Sequence, residues 1–413
     1  MSGHLPSPTR RHALLGALGL GFSVEFLGAR AYADSNSAGR KKLVVIVCRG
    51  GLDGLSLSPP VGDPNYPALR GAIAIPPNLA LKLDDTFALH PAMPATHALA
   101  LKGQARIAPA VATPDRERSH FEAQDVLESG AAVVYGVSSG WLNRALETMG
   151  PAGKVKALSV GPTAPLILRG KIEAASWSPG GMAERDRRLP GILQDLYAKD
   201  PMLGPALAQG LATEGMAKVA TADAAGMTGM ADMAAGPSPR PGLPQAKKLG
   251  ATLAGFMTQA GGAQVAAVSI DGFDTHANQG AAQGQLATRL AYVNAFLDGL
   301  TQGLGPSWRD TVVVMATEFG RTAHVNGTGG TDHGTASTAL LLGGALKSGG
   351  IVGDWPTLAQ ARLFENRDTA PTLDMRGLFK GVLRDHMGVD RRALDTAVFP
   401  GSANVALVAG MVA

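Results

Sequence analysis

Apolar positions along the chain fall into short continuous runs that alternate with longer stretches of helical spacing. The run KKLVVIVCRGG (41–51) is continuous, rich in β-branched residues and closed by glycines. That pattern predicts a strand buried on both faces of a mostly parallel sheet. Further strands are predicted at GKVKALSVG (153–161), AQVAAVSI (263–270) and DTVVVMAT (310–317), with another apolar run at ASTALLLGG (336–344). Helices are predicted over SHFEAQDVLESG (119–130), SGWLNRALETMG (139–150), AKKLGATLAGFMTQA (246–260) and GQLATRLAYVNAFLDGL (284–300). The first of these opens with a Ser-x-x-Glu capping box at Ser119 and Glu122. Alternation of this kind predicts an α/β fold, a mostly parallel central sheet with helices on both faces. There is no internal repeat.

Composition changes this picture at two places. Residues 1–33 hold Arg10 and Arg11, a modestly apolar glycine-rich run interrupted by Glu25, and Ala31-Tyr32-Ala33. That order predicts a Tat-type signal peptide, with the Tat translocase as partner during export, rather than a membrane anchor. Residues 34–413 then form a single domain in the periplasm or outside the cell. Between 201 and 248 the chain is rich in Ala, Gly and Met, which predicts a helical insertion; Met227, Met230 and Met233 belong to its apolar face.

Charge excludes some classes. The formal charge is +4 and only 5% of residues are aromatic. Loss of 1–33 removes three arginines and one glutamate, so +4 falls to +2. Neither a basic patch nor a stacking platform is present, so nucleic acid is not the expected partner. Cys48 is the one cysteine, which rules out a disulfide within the chain and any multi-cysteine cluster. A metal here would be held by histidines and carboxylates.

In open α/β sheets ligands bind beyond the carboxyl ends of the strands. Arg49 and Asp53 follow the first strand; Asp271, Asp274 and His276 follow the strand at 263–270. Glu318 and Arg321 follow the strand at 310–317, and Asp332 and His333 precede the last apolar run. Carboxylates gathered at one rim repel unless a cation joins them. Oxygen and imidazole donors together suit Zn²⁺ or Mn²⁺, with Ca²⁺ an alternative and one or two ions expected. Ser119 is placed either as a nucleophile at a helix N-terminus or as an ordinary N-cap, and His120 as ligand, acid or surface residue.

Together the Tat signal, RGGLDGLS, RSHFEAQD, DGFDTH, TEFGRT and GGTDHGTAS resemble the bacterial family known as domain of unknown function 1501, over nearly all of the mature chain. That family is regarded as a relative of the alkaline phosphatase and sulfatase superfamily. The resemblance implies an alkaline phosphatase-like fold and metal-dependent hydrolysis of a small anionic phosphate or sulfate ester. It implies metal contacts at Asp53, the Asp271–Asp274–His276 cluster and His333, and a nucleophile at Ser119. Arg49 or Arg321 would hold the anion, and His120 or His333 would protonate the leaving group. This sequence departs from the superfamily in the Asp-to-His spacing after residue 271, in Glu318 where Asp-His is usual, and in lacking the formylglycine signature around Cys48. A non-catalytic exported binding or assembly protein is the alternative.

Overall fold

The computed structural model describes residues 22–28, 41–149, 156–158, 165–172, 174–177, 242–259 and 262–413. The predicted insertion lies outside these up to Pro241, including Met227, Met230 and Met233, and the chain re-enters as a helix. Six strands form the centre of the sheet: β1 (Lys42–Arg49), β2 (Ala105–Ala112), β3 (Val265–Asp271), β4 (Thr311–Ala316), β5 (Ser337–Leu342) and β6 (Leu373–Asp374). Their order across the sheet is β6-β2-β5-β4-β1-β3. β1 is parallel to both β3 and β4, whereas β5 is antiparallel to its two neighbours. Five of the six therefore point one way, and the start of β5 shares a rim with the ends of the others. The predicted mostly parallel sheet is present.

Beyond β3 the sheet continues with three short strands, Phe22–Gly28, Lys156–Leu158 and Ala174–Trp177. The first runs antiparallel along β3, from Phe22 opposite Ile270 to Leu27 opposite Val265. It falls inside the segment read as an export signal; the rest of that segment lies outside the described residues.

Period-two alternation in β1 explains the layers. Val44, Ile46 and Cys48 pack with α4 (Leu243–Thr258) and α5 (Gln285–Leu304) on one face. Leu43, Val45 and Val47 pack on the other with α3 (Trp141–Thr148) and α6 (Met375–Asp385). Each such side chain fully buried contributes about 1.5–3 kcal/mol. Trp141 stacks on Phe379 at 4.7 Å between ring centroids, joining α3 to α6. Among the described residues no helix is long and apolar enough to cross a membrane.

Among the elements not anticipated from the pattern are β2, β6, α6 and α1 (Pro94–Leu101). β2 reads ARIAPAVA, with a proline that cannot donate to the ladder. The sheet accommodates it through a register shift between Ser337 and Ala339 of β5, and Ala110 takes φ 58°. A bulge of this kind absorbs a proline inside a strand.

Candidate metal centre

The rim gathers five loops: 49–53 after β1, 113–120 after β2, 271–279 after β3, 317–323 after β4 and 331–336 before β5. Gly50 and Gly51 make the first of these possible. Both have positive φ (112° and 64°), and a Cβ on Gly50 would lie 2.6 Å from the Asp274 nitrogen. Their N–H groups both donate to Glu318 Oε1, at 2.8 and 3.1 Å.

Arg321 knits these loops together. Its buried guanidinium donates to the carbonyls of Gly51 (2.7 Å), Gly50 (2.8 Å), Thr331 (3.0 Å) and Phe273 (3.2 Å), and to the Asp274 carboxylate. All three of its nitrogens are therefore engaged within the rim. The expectation that Arg321 holds a substrate anion gives way to an organising role.

Three histidines surround Asp274. His276 Nε2 lies 3.1 Å and His333 Nε2 3.3 Å from Asp274 Oδ1, and His120 Nε2 lies 3.5 Å from Oδ2. His276 Nε2 and His333 Nε2 face each other at 3.0 Å. One ligand atom each from His120, Asp274 and His333 lies within 4.8 Å of the other two, close enough to share a metal ion.

What lies behind each ring fixes its proton. His120 Nδ1 is 2.8 Å from Glu318 Oε1, His276 Nδ1 is 3.2 Å from Asp332 Oδ1, and His333 Nδ1 is 2.8 Å from the Arg118 carbonyl. Each partner can only accept, so each Nδ1 is placed to donate, and all three Nε2 atoms are turned toward Asp274. Three imidazole nitrogens and a carboxylate then converge, with the Arg321 guanidinium as the donor on Asp274 Oδ1. His120 Nε2 is buried without any hydrogen-bond partner. Orphaned acceptors of this kind fit a cation, and the carboxylates and carbonyl behind the rings are the groups that orient metal-binding imidazoles.

Protonation follows the same geometry. The Glu318 bond raises the His120 pKa above its ordinary value, against the opposing effect of burial. Burial lowers that of His333, more than the Arg118 carbonyl restores. Burial alone would raise the Asp274 carboxyl, but the Arg321 contact outweighs it and the net direction is down. Glu318 is likewise pushed up by burial and brought down further by His120 and the Gly50 N–H.

The other expected ligands sit elsewhere. Glu318 and Asp332 stand behind histidines. Asp53 is buried and accepts from Ser56 Oγ (2.8 Å), Gln279 Nε2 (2.6 Å), Leu55 N (3.2 Å) and the Arg70 guanidinium. It caps the short helix Gly54–Leu57 and neutralises a buried arginine, so its oxygens are committed. Asp271 ends β3 exposed, opposite Arg49 in the parallel register. Arg49 itself donates to the buried Glu128 at 2.5 Å, and its Nε has no partner.

Ser119 is the N-cap of α2 (His120–Ser129), yet its hydroxyl makes no capping bond. The capping box read from the sequence does not form, and Glu122 Oε2 is left without a partner. Ser56 and Ser58 are buried in polar contacts with Asp53 and Thr338. Sequence reasoning missed Arg70, Gln279 and Asp368. Their only local signal is polarity, and each acquires meaning through a partner far along the chain.

A family profile described as a protein of unknown function (DUF1501) matches residues 40–398. The chain belongs to the DUF1501 family. The match takes in every loop of the rim, so the three histidines and Asp274 of this DUF1501 protein all fall inside it. No curated protein and no solved structure matches the chain.

Proposed function

We propose that this DUF1501 protein is an exported, alkaline phosphatase-like hydrolase of small phosphate or sulfate esters that depends on a bound divalent cation. The observation that carries the reading is the convergence of three imidazole Nε2 atoms on the Asp274 carboxylate. His120, His276, His333 and Asp274 would hold the ion. Three nitrogens and one oxygen suit Zn²⁺ or Mn²⁺ better than Ca²⁺, which takes oxygen ligands. With Asp53 committed elsewhere, the donor set serves one ion rather than two. When bound, that ion supplies Lewis-acid polarisation of the ester and charge neutralisation.

The chain's own groups supply the rest. Ser119 offers a hydroxyl uncommitted to capping at the N-terminus of a ten-residue helix, where the dipole favours an anion or a developing alkoxide. Arg49, with its unpaired Nε, takes the anion-holding role that Arg321 cannot. Glu318 keeps the His120 ring aimed at the reacting centre. Export by the Tat route rests on Arg10-Arg11 and Ala31-Tyr32-Ala33; cleavage after Ala33 would remove the strand at 22–28 and open the outer edge of β3.

The test is elemental analysis of the protein purified without chelator, beside an Asp274→Ala/His333→Ala variant, followed by hydrolysis of nitrophenyl phosphate and sulfate. Zinc or manganese present in the parent and lost in the variant, with turnover abolished in a metal-replete Ser119→Ala protein, is the expected result. Absence of metal from both proteins sinks the reading. The alternative, an exported binding or assembly protein, is favoured by the engagement of all three Arg321 nitrogens within the rim. Metal retention without turnover on either ester would select it.

A further inference from the structure

We propose that Arg118, clamped by Asp368, is a positioning residue that sets the tautomer and the aim of His333. The proposal rests on the metal-centre reading above. Arg118 has φ 58°, in the left-handed region that side chains other than glycine rarely adopt. A residue stays there only when its surroundings hold it.

The surroundings are specific. Arg118 Nε–H donates to Asp368 Oδ2 at 3.0 Å, and a terminal guanidinium nitrogen lies 2.9 Å from the same oxygen. Another carboxylate, that of Glu365, accepts from this terminal nitrogen at 2.5 Å. Asp368 has no solvent exposure and is itself fixed: the Thr335 hydroxyl donates to Oδ2 at 2.8 Å, and Arg367 approaches Oδ1 at 3.2 Å. Its backbone exchanges hydrogen bonds with Phe364 at 2.8 and 3.0 Å, closing a turn in which Glu365 and Asn366 are also left-handed. This turn holds both carboxylates where the guanidinium meets them.

The clamped turn presents the Arg118 carbonyl to His333, which donates Nδ1–H to it at 2.8 Å. A carbonyl can only accept, so Nε2 keeps its lone pair and faces Asp274 and His276. The same turn leads directly into Ser119 and His120. Released from the clamp, Arg118 would relax toward negative φ and turn the carbonyl away. His333 would then be free to carry its hydrogen on Nε2, pointing it at the position a cation needs.

Arg118→Lys is the decisive variant. It keeps a positive charge opposite Asp368 and the same aversion to positive φ, but loses the planar fork. Asp368→Asn is the second. Nitrogen NMR of the histidine side chains in the metal-free protein reads the tautomer without any ion, and chelator competition reads zinc affinity. Circular dichroism and a thermal melt confirm folding. In the parent, His333 is expected as a single Nδ1–H tautomer; in both variants the two tautomers mix, and zinc affinity falls about 10- to 100-fold. His276, oriented by Asp332, keeps its tautomer and serves as internal control. If His333 stays purely Nδ1–H in a folded Arg118→Lys protein, the proposal is overturned. It is overturned even if affinity falls, since the fall would then mark a general structural role. A parent that binds no zinc would defeat the metal-centre reading, while the tautomer would still decide the clamp.

Discussion

Asp53→Asn separates two accounts of the rim. By resemblance Asp53 is a metal contact; in the structure it neutralises Arg70. Both side chains are essentially solvent-free, at 1% and 0% exposure. The remaining contacts of the Arg70 guanidinium are neutral, to the carbonyls of Thr322 at 3.1 Å and Ala323 at 3.4 Å and to Ser56 Oγ at 3.0 Å. Asparagine keeps the size and one acceptor for the helix cap, but leaves the guanidinium as a buried charge without a counter-ion. Breaking a buried pair from one side costs about 3–5 kcal/mol. At about 1.4 kcal/mol per factor of ten, the folded-to-unfolded ratio falls by roughly two to three and a half orders of magnitude. Urea unfolding, with metal content measured on the same samples, should show a large loss of stability and unchanged metal. Adding Arg70→Met should recover most of the loss, because the charge is then gone. An Asp53→Asn protein with its urea midpoint intact and its metal lost would refute the reasoning and restore Asp53 as a ligand.

Glu318→Gln keeps the shape behind His120 but removes the charge that holds its Nδ1–H; zinc affinity by chelator competition should fall about 10- to 100-fold. Gly320→Ala would place a Cβ 1.8 Å from the Ala336 carbonyl oxygen, whereas at Gly327 it would meet nothing within 4 Å. Soluble yield and thermal melts should therefore collapse for the first and stay unchanged for the second. His90 and His386 are buried, and burial lowers both pKa values from the ordinary value of about 6.5. The unfolded chain binds these protons first, so their contribution to stability is complete above about pH 6.5 and is lost as pH falls toward the lowered folded values. His120, with its raised pKa, acts in the opposite sense: its contribution is complete below about pH 6.5 and is lost as pH rises through the folded value. A His386→Gln protein should lose less of its urea midpoint on acidification than the parent, and an equal or steeper loss would contradict the assignment.

Much of the fold was legible because strand and helix periods are local. The run at 41–51 reads as a strand buried on both faces, and its alternate residues do pack against helices on opposite faces. The strands at 263–270, 310–317 and 336–344 were equally plain. β2 was not, since ARIAPAVA has few β-branched residues and a proline; β5 and β6 supply the pairing that makes it a strand.

At the site, the sequence by itself determined most of the residues that stand at the rim, because strand ends and the loops after them are set by short-range pattern; His120 follows β2, whose strand the pattern did not show. It named His120, Asp274, His276, Glu318, Asp332 and His333 without the means to sort them. Only tertiary structure decided which face the centre and which stand behind. The pairs that decide are remote: His333 and Asp274 are 59 residues apart, His120 and Glu318 198, and Arg118 and Asp368 250. A carboxylate's role depends on which donors reach it in space, so Asp53, paired with Arg70 and Gln279, became a structural counter-ion. Asp274, ringed by imidazole nitrogens, remained the centre of the site.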